Sequence, residues 1–338
     1  MTERDGNGWT ICGLGHRHWG RHGAAGLLAY APDGNGDTMV LLQRRAWWTH
    51  NGGTWGTPGG ARDSHESPQE AALREAAEEC LLPPAAVRVT GIVHDDHDGW
   101  SYQTLIARAR APFPVQPAGD ETSEVRWIPV AGVTRRKLHP GFAAQWPVIG
   151  RALEPVTIIV DGANVAGSRA DGWWRDRAGA AARLHGELSA LSASGVTTLP
   201  DALGVPGLDR WFPQYTLVVE GAARALAGRL DGGPAPGWPA AADEPVPAAG
   251  TVIAAPPAAG AAGAGAAARA QAGGRLAAAA APAVTVVAAE GSGDDTIAGL
   301  AGQLPGQRLV VTADRELRHR CEAAGAAVTG PRWLLSQL

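Results

Sequence analysis

Two α/β units in series, the second built on a parallel sheet, are the architecture this sequence predicts. Its 338 residues exceed one ordinary domain and leave each of two units room for a proper core. Strand and helix patterns run through once by residue 153. From Glu154, "EPVTIIVDGANVAGS" starts them again, with short apolar strands that end at acidic residues.

Residues 23–31, "GAAGLLAYA", and 39–44, "MVLLQR", read as strands with "PDGNGD" as the turn between them. A helix rich in Ala and Glu follows, within "GGARDSHESPQEAALREAAEEC". After it, 86–93 and 101–108 are two further strands joined through "HDDHDGW", where Asp98-Gly99 suits a hairpin tip. A short strand near Val125–Pro129 and a helix from about Gly141 to Leu153 complete a mixed α/β unit. In the second unit "TIIV", "YTLVVEG", "VTVVAAEGSGDD" and "QRLVVTADREL" supply strands, each with a helix or turn beyond it. That alternation implies a parallel sheet covered by helices on both faces. Residues 231–282, dominated by Ala, Gly and Pro, interrupt the pattern and read as a disordered or loosely structured insert.

The acidic helix carries the first chemical signal. Most helices of this composition are solvated surface helices with ion pairs at i, i+3 and i+4. Here Glu75, Glu78 and Glu79 stand at i, i+3 and i+4, so three like charges share one side with no Lys or Arg among them. A hard divalent cation relieves that repulsion, and the Pro-Gly-Gly turn of "TPGGARD" lets backbone carbonyls approach it closely. Turn, helix and acidic face together suggest a metal-diphosphate site.

The stretch resembles the Nudix box. Gly60 is followed by five residues and Glu66; seven more lead to Arg74-Glu75, then Ala76, Ala77, Glu78-Glu79, Cys80, Leu81 and Leu82. One position departs, since Leu81 stands where the pattern has Gly; Pro83 and Pro84 are expected to stop the helix instead. The resemblance implies an α/β/α sandwich over roughly residues 10–153. It also implies a Mg2+ (or Mn2+) ion held by Gly60, Glu75, Glu78 and Glu79. Arg74 would steady Glu75 with Glu66 as its own partner, and an acidic residue outside the box such as Glu121 would assist as base. The implied activity is pyrophosphohydrolysis of a nucleoside diphosphate linked to another group, with a nucleoside triphosphate favoured by likeness to the MutT-like members. Trp47, Trp48 and Trp55 flank the box and suit either core packing or stacking on a nucleobase.

The second unit gathers acidic residues at strand ends, where parallel α/β sheets place functional groups. Asp161 closes one strand, Asp294 and Asp295 open a helix, and Asp314 closes another strand. Taken singly, each also suits a helix cap or a turn. Through "VDGANV", "GSGDDTI" and "VVTADREL" this half is similar to the NYN branch of PIN-like nucleases, over about residues 155–338 with the insert excluded. That likeness implies metal on Asp161, Asp295 and Asp314, with Asp294 as the alternative. It gives Asn164 the task of orienting the first Asp or an RNA phosphate.

Composition sets bounds. A net charge of −4 and a pI near 6.2 provide no bulk field for nucleic acid or acidic membrane. The longest apolar run, around 276–289, is mostly Ala with a Pro and makes a poor membrane span. Cys12, Cys80 and Cys321 are far apart and odd in number, so no disulfide framework follows; with a polar start, a cytoplasmic location is expected. Cys12, His16, His18 and His22 follow no familiar zinc spacing and read as a polar lead-in. A rival reading makes the chain an RNA-binding or RNA-processing protein whose first half senses a nucleotide. Intact box carboxylates favour catalysis over sensing.

Overall fold

Strands β3 (Ala24–Pro32), β4 (Thr38–Arg45), β7 (Val87–Asp96), β8 (Ser101–Ala109) and β9 (Thr122–Pro129) form the body of the first sheet in a computed structural model. It describes residues 4–170, 172–230 and 284–338; the stretch 231–282, expected to be a loose insert, lies outside the described residues. A short hairpin, β1 (Trp9–Ile11) with β2 (Arg17–Trp19), precedes the sheet where the sequence suggested only a lead-in. Two small strands, β5 (Trp55–Gly56) and β6 (Gly59–Ala61), pair with β4 and β3.

The sheet is mixed. β3 runs parallel to β8 and antiparallel to β4, while β4–β9 and β7–β8 are antiparallel. Its faces are covered by α1 (Pro68–Cys80) and α2 (Pro140–Ile149). Side chains alternate across a strand, so Leu27 and Ala29 pack with Ala72, Ala76 and Cys80 of α1, and Leu28 and Tyr30 pack with Phe142, Trp146 and Ile149 of α2. Burial on both faces explains why "AAGLLAYA" is apolar throughout rather than alternating.

Local chemistry fixes both ends of α1. Ser67 accepts from the Glu70 amide, and Glu70 in turn accepts from the Ser67 amide at 2.8 Å, a capping box with Pro68 next to it. At the other end Leu81 takes the left-handed conformation, φ 52°. The prolines therefore do not replace the positive-φ exit; the helix turns at Leu81 before reaching them.

The second sheet is parallel throughout, in the order β13 (Thr285–Ala288), β12 (Gln214–Val219), β10 (Val156–Asp161), β14 (Gln307–Val311), β15 (Ala327–Thr329). The chain builds outward from β10 through β12 to β13, then returns to the other side of β10 with β14. That reversal opens a crevice at the carboxyl ends of β10 and β14. Ile159, Val218 and Val310 pack under α6 (Gly293–Gln303) and α7 (Arg315–Ala323) through Ile297, Leu317 and Cys321. Ile158, Val160 and Leu217 pack on the opposite side with Leu184, Leu188 and Leu191 of α4 (Arg177–Ser194).

The two halves are joined more closely than a boundary near residue 154 implies. β11 (Arg210–Trp211) leaves the second half and pairs antiparallel with Gly91 and Ile92 on the edge of β7. The Phe212 amide donates to Thr90 O at 2.9 Å, and Leu208 packs against Gly91. A fragment ending at residue 153 would uncover that strand edge and the apolar face around Ile106 and Trp146. No helix among the described residues is long and apolar enough to cross a membrane.

Leu81 yields a direct test. A left-handed residue with a Cβ carries about 1–2 kcal/mol of strain. Its side chain is about half exposed, so little burial is lost on removing it. Leu81→Gly is expected to raise the thermal midpoint by ~1–3 °C after the greater unfolded-state freedom of Gly is offset. A melting point at or below wild type would show that the Leu81 contacts outweigh the strain.

Candidate active site

Arg74 anchors the acidic face of α1. Its Nε and Nη2 donate to the two oxygens of Glu66 at 2.6 and 2.8 Å, a forked pair, while Nη1 donates to Glu75 Oε1 at 2.6 Å. Nη2 also donates to the Ala61 carbonyl at 3.1 Å, tying the helix to β6. Burial works against the Arg74 charge, but Glu66 and Glu75 outweigh it and hold the guanidinium above its usual range. Glu66 also feels burial, yet the Arg74 hydrogen bonds keep its carboxyl below the ordinary range. Glu78 lies 3.5 Å from Arg74 Nη1 and pairs with Arg4 as well.

Glu79 is held from another direction. Its Oε2 accepts from the Gly59 amide at 2.7 Å and from Gln43 Nε2 at 2.8 Å. Burial nevertheless pushes its carboxyl up to about 8, with the Glu75 charge adding to the rise against the Gly59 and Gln43 hydrogen bonds. Glu75 moves the same way, raised by burial and by Glu78 and opposed by Arg74. Burial thus makes negative charge costly on this face, and its donors are all carboxylate oxygens beside a glycine turn. Hard Mg2+ or Mn2+ fits that donor set.

Gly60 is shaped by its neighbour. A Cβ there would lie 2.7 Å from Glu75 Cδ and 2.8 Å from both its oxygens. The carboxylate rests where any other residue would put a side chain.

Sequence reading missed Gln43. It is 1% exposed, shares its sheet face with Leu41, and accepts from Thr122 Oγ1 at 2.7 Å while donating to Glu79. A polar residue at an inward position of "MVLLQR" was the available signal. Glu121 is exposed before β9; among the described residues no hydrogen bond or ion pair joins its carboxylate to the box helix. Glu124 pairs with Arg126. The three tryptophans separate: Trp55 is buried under Arg136, whereas Trp47 and Trp48 are 86% and 53% exposed on the loop between β4 and β5.

A second acidic centre sits at the crevice of the parallel sheet. Asp161, Glu220, Asp294 and Asp314 line a cavity of about 470 Å³ with Asn164 and Ser168. Asp161 accepts from the Asn164 amide at 3.0 Å and from Thr312 Oγ1 at 2.8 Å. Burial raises its carboxyl, and the Asp294 and Glu220 charges add to the rise. Asn164 accepts from the Ala313 amide at 2.9 Å, stitching the ends of β10 and β14 together. Asp314 caps α7 through the Leu317 amide at 2.8 Å. Of the adjacent pair, Asp294 faces the cavity, whereas Asp295 turns outward to Arg320 at 2.6 Å. The sequence preference for Asp295 is reversed by the way α6 packs. Glu220, which follows β12, was not anticipated; its place just after an apolar strand was the signal.

Fold and site together define a class, a mixed sheet between helices with a glycine turn and a Nudix-type carboxylate helix. Residues 20–149 match the NUDIX domain family. A Mycobacterium tuberculosis protein provisionally named 8-oxo-dGTP diphosphatase 3 is 45% identical over 164 residues, 47% of this chain and 74% of that one. A Bifidobacterium longum nucleoside triphosphate pyrophosphatase/Nudix hydrolase fusion protein is 40% identical over 157 residues, 45% of this chain and 33% of the fusion. The crystal structure of the Nudix hydrolase RenU from M. smegmatis aligns with 42% of this chain and 91% of its own, at 47% identity and a TM-score of 0.40. The chain belongs to the Nudix family and is an enzyme of the Nudix hydrolase type.

Gly60→Ala isolates the turn. The far end of Glu75 can move aside, so the fold and melting point should hold while the carboxylate is displaced. A shift of about 1 Å in a reacting group lowers turnover by ~100-fold. Unchanged turnover in a folded variant would show that Glu75 works from another position.

Proposed function

We propose that this chain hydrolyses a nucleoside triphosphate between its phosphates, releasing a nucleoside monophosphate and pyrophosphate with Mg2+ or Mn2+ as cofactor. The observation that carries the reading is the complete carboxylate face, Glu75, Glu78 and Glu79, with Glu79 pushed up to about 8 by burial and by the neighbouring Glu75 charge. Those residues and the Gly60 carbonyl would hold the cation, which when bound neutralises diphosphate charge and lowers the pKa of the attacking water.

The chain's own groups do the positioning. Arg74 holds Glu75 and is itself held by both oxygens of Glu66. Gln43 and the Gly59 amide fix Glu79. Trp47 and Trp48, exposed beside the strand that carries Gln43, offer faces for the nucleobase. Glu121 remains the candidate for taking the proton of the attacking water. The names of the two bacterial relatives support a nucleoside triphosphate, and the first puts 8-oxo-dGTP at the head of the panel.

Incubation with Mg2+ and a nucleotide panel should give monophosphate and pyrophosphate. Glu79→Gln should retain less than a tenth of wild-type turnover at saturating Mg2+ with its fold intact. Tight nucleotide binding without product would favour the rival reading, a nucleotide sensor attached to an RNA-processing protein.

A second reading is favoured by the four carboxylates around the crevice. Asp161, Asp294 and Asp314, with Glu220 beside them, would hold Mg2+ or Mn2+ as a PIN-like centre that cleaves an RNA phosphodiester, with Asn164 ordering the strand ends. Asp294→Asn should remove Mn2+-dependent RNA cleavage, whereas Asp295→Asn should preserve it. Both should leave nucleotide hydrolysis within about twofold, ~0.4 kcal/mol, because the centres share no residue. If the wild-type protein cleaves no RNA with either metal, the reading of this half as a nuclease is wrong.

A further inference from the structure

Neither acidic centre uses the N-terminal hairpin, and its loop carries chemistry of a different kind. β1 and β2 pair Thr10 with His18, and the turn between them is closed by the Cys12 amide donating to His16 O at 3.0 Å. A second hairpin meets it. The Gly13 amide donates to Asp98 O at 2.6 Å, at the tip joining β7 to β8, where Asp98 and Gly99 both have positive φ. His97, from this tip, thereby comes to the Cys12 loop.

Cys12, His16, His18 and His97 each offer a donor atom, and the four atoms lie within 4.8 Å of one another. The His18 and His97 rings are 4.5 Å apart between centroids, and His18 lies flat on Trp100 at 4.0 Å and 11°. Trp100 is fixed in turn by donating from Nε1 to Gly20 O at 2.8 Å. Two of the imidazole nitrogens, His18 Nε2 and His97 Nδ1, are buried with no hydrogen-bond partner. An orphaned buried nitrogen costs about 1–3 kcal/mol, so two side by side are not a satisfied polar cluster. The other nitrogen of His97, Nε2, is 3.3 Å from Asp95 Oδ1. A carboxylate on the far nitrogen is the arrangement that orients a metal-binding histidine and leaves Nδ1 free to ligate.

We propose that Cys12, His16, His18 and His97 form a zinc site that pins the N-terminal hairpin to the tip of the β7–β8 hairpin. One thiolate and three neutral imidazoles are a tetrahedral zinc donor set. With bonds of about 2.0–2.3 Å the donors of such a site stand roughly 3.3–3.7 Å apart, a small contraction that exposed His16 can accommodate. Four protein donors leave no place for water, which marks the site as structural. The need is visible in the packing, since among the described residues the apolar cluster where the two hairpins meet is small, Cys12, Ala24 and Trp100 with Tyr102 beside it. His22 takes no part; its Nε2 lies 3.5 Å from Asp5. The donor set also separates this site from the carboxylate face of α1, whose oxygen ligands suit hard cations.

The test uses the full chain, purified under reducing conditions and titrated with zinc, with metal measured by mass spectrometry. Wild type, His22→Ala and Glu79→Gln should each retain about one zinc ion per chain after desalting, while Cys12→Ser and His97→Ala should retain less than a tenth of that. So that the result does not depend on the folding of these variants, the wild-type protein is also loaded with Co2+. A thiolate-to-cobalt charge-transfer band with intense tetrahedral visible bands, both displaced by zinc, is the expected signature. Wild-type protein without those bands, or zinc that persists in Cys12→Ser and His97→Ala, overturns the site.

Discussion

Arg74 bonds two carboxylates at once, Glu66 through both oxygens and Glu75 through one, and the first half of the molecule is arranged so that it can. Glu66 stands directly before the helix, whose start the Ser67–Glu70 capping box fixes. The helix must lie close to β6, which the small side chains of Ala71, Ala72 and Ala76 and the bare backbone of Gly60 permit. Once seated, the fork keeps Glu66 and Arg74 charged in a half-buried place, and it leaves Glu75 one oxygen free. Burial raises the proton affinity of both Glu75 and Glu79; the Arg74 guanidinium opposes the rise at Glu75, and the Gly59 amide and Gln43 oppose it at Glu79.

The second half reaches a similar density of carboxylates by another route. There the acidic groups stand on separate segments and meet because parallel strands all end at one edge. Asp161 is the most buried of them and is satisfied by Asn164 and Thr312; Asp294 and Glu220 lie across the cavity and raise its proton affinity without touching it. β11 links this arrangement to the first sheet, so the two centres belong to one packed body even though no side chain serves both.

Three collections of ligand-type side chains thus differ in donor chemistry and in construction. The box presents hard oxygen donors from one helix, the crevice presents oxygen donors from four segments, and the hairpin loops present sulfur and nitrogen. Softness and geometry, rather than affinity alone, separate the ions such sites prefer.

What the sequence determined by itself was whatever depends on spacing within one regular element. Glu75, Glu78 and Glu79 share a face because a helix turns every 3.6 residues, and Gly60, Glu66 and Arg74 were legible with them because the pattern is local. The apolar strands, the restart at Glu154 and the strand-end positions of Asp161 and Asp314 were readable for the same reason. Tertiary structure decided what depends on separate segments meeting. Neighbouring residues on a helix point about 100° apart, so only the packing of α6 sends Asp294 inward and Asp295 out to Arg320. Gln43 gains its role only from where Glu79 arrives, and Glu220 only from its strand standing next to β10. His97 joins Cys12 because two hairpins touch, a contact that no spacing along the chain encodes. At Leu81 the packing held the helix exit in a left-handed turn even without the glycine that would relax it, because the backbone path is set by the elements on either side.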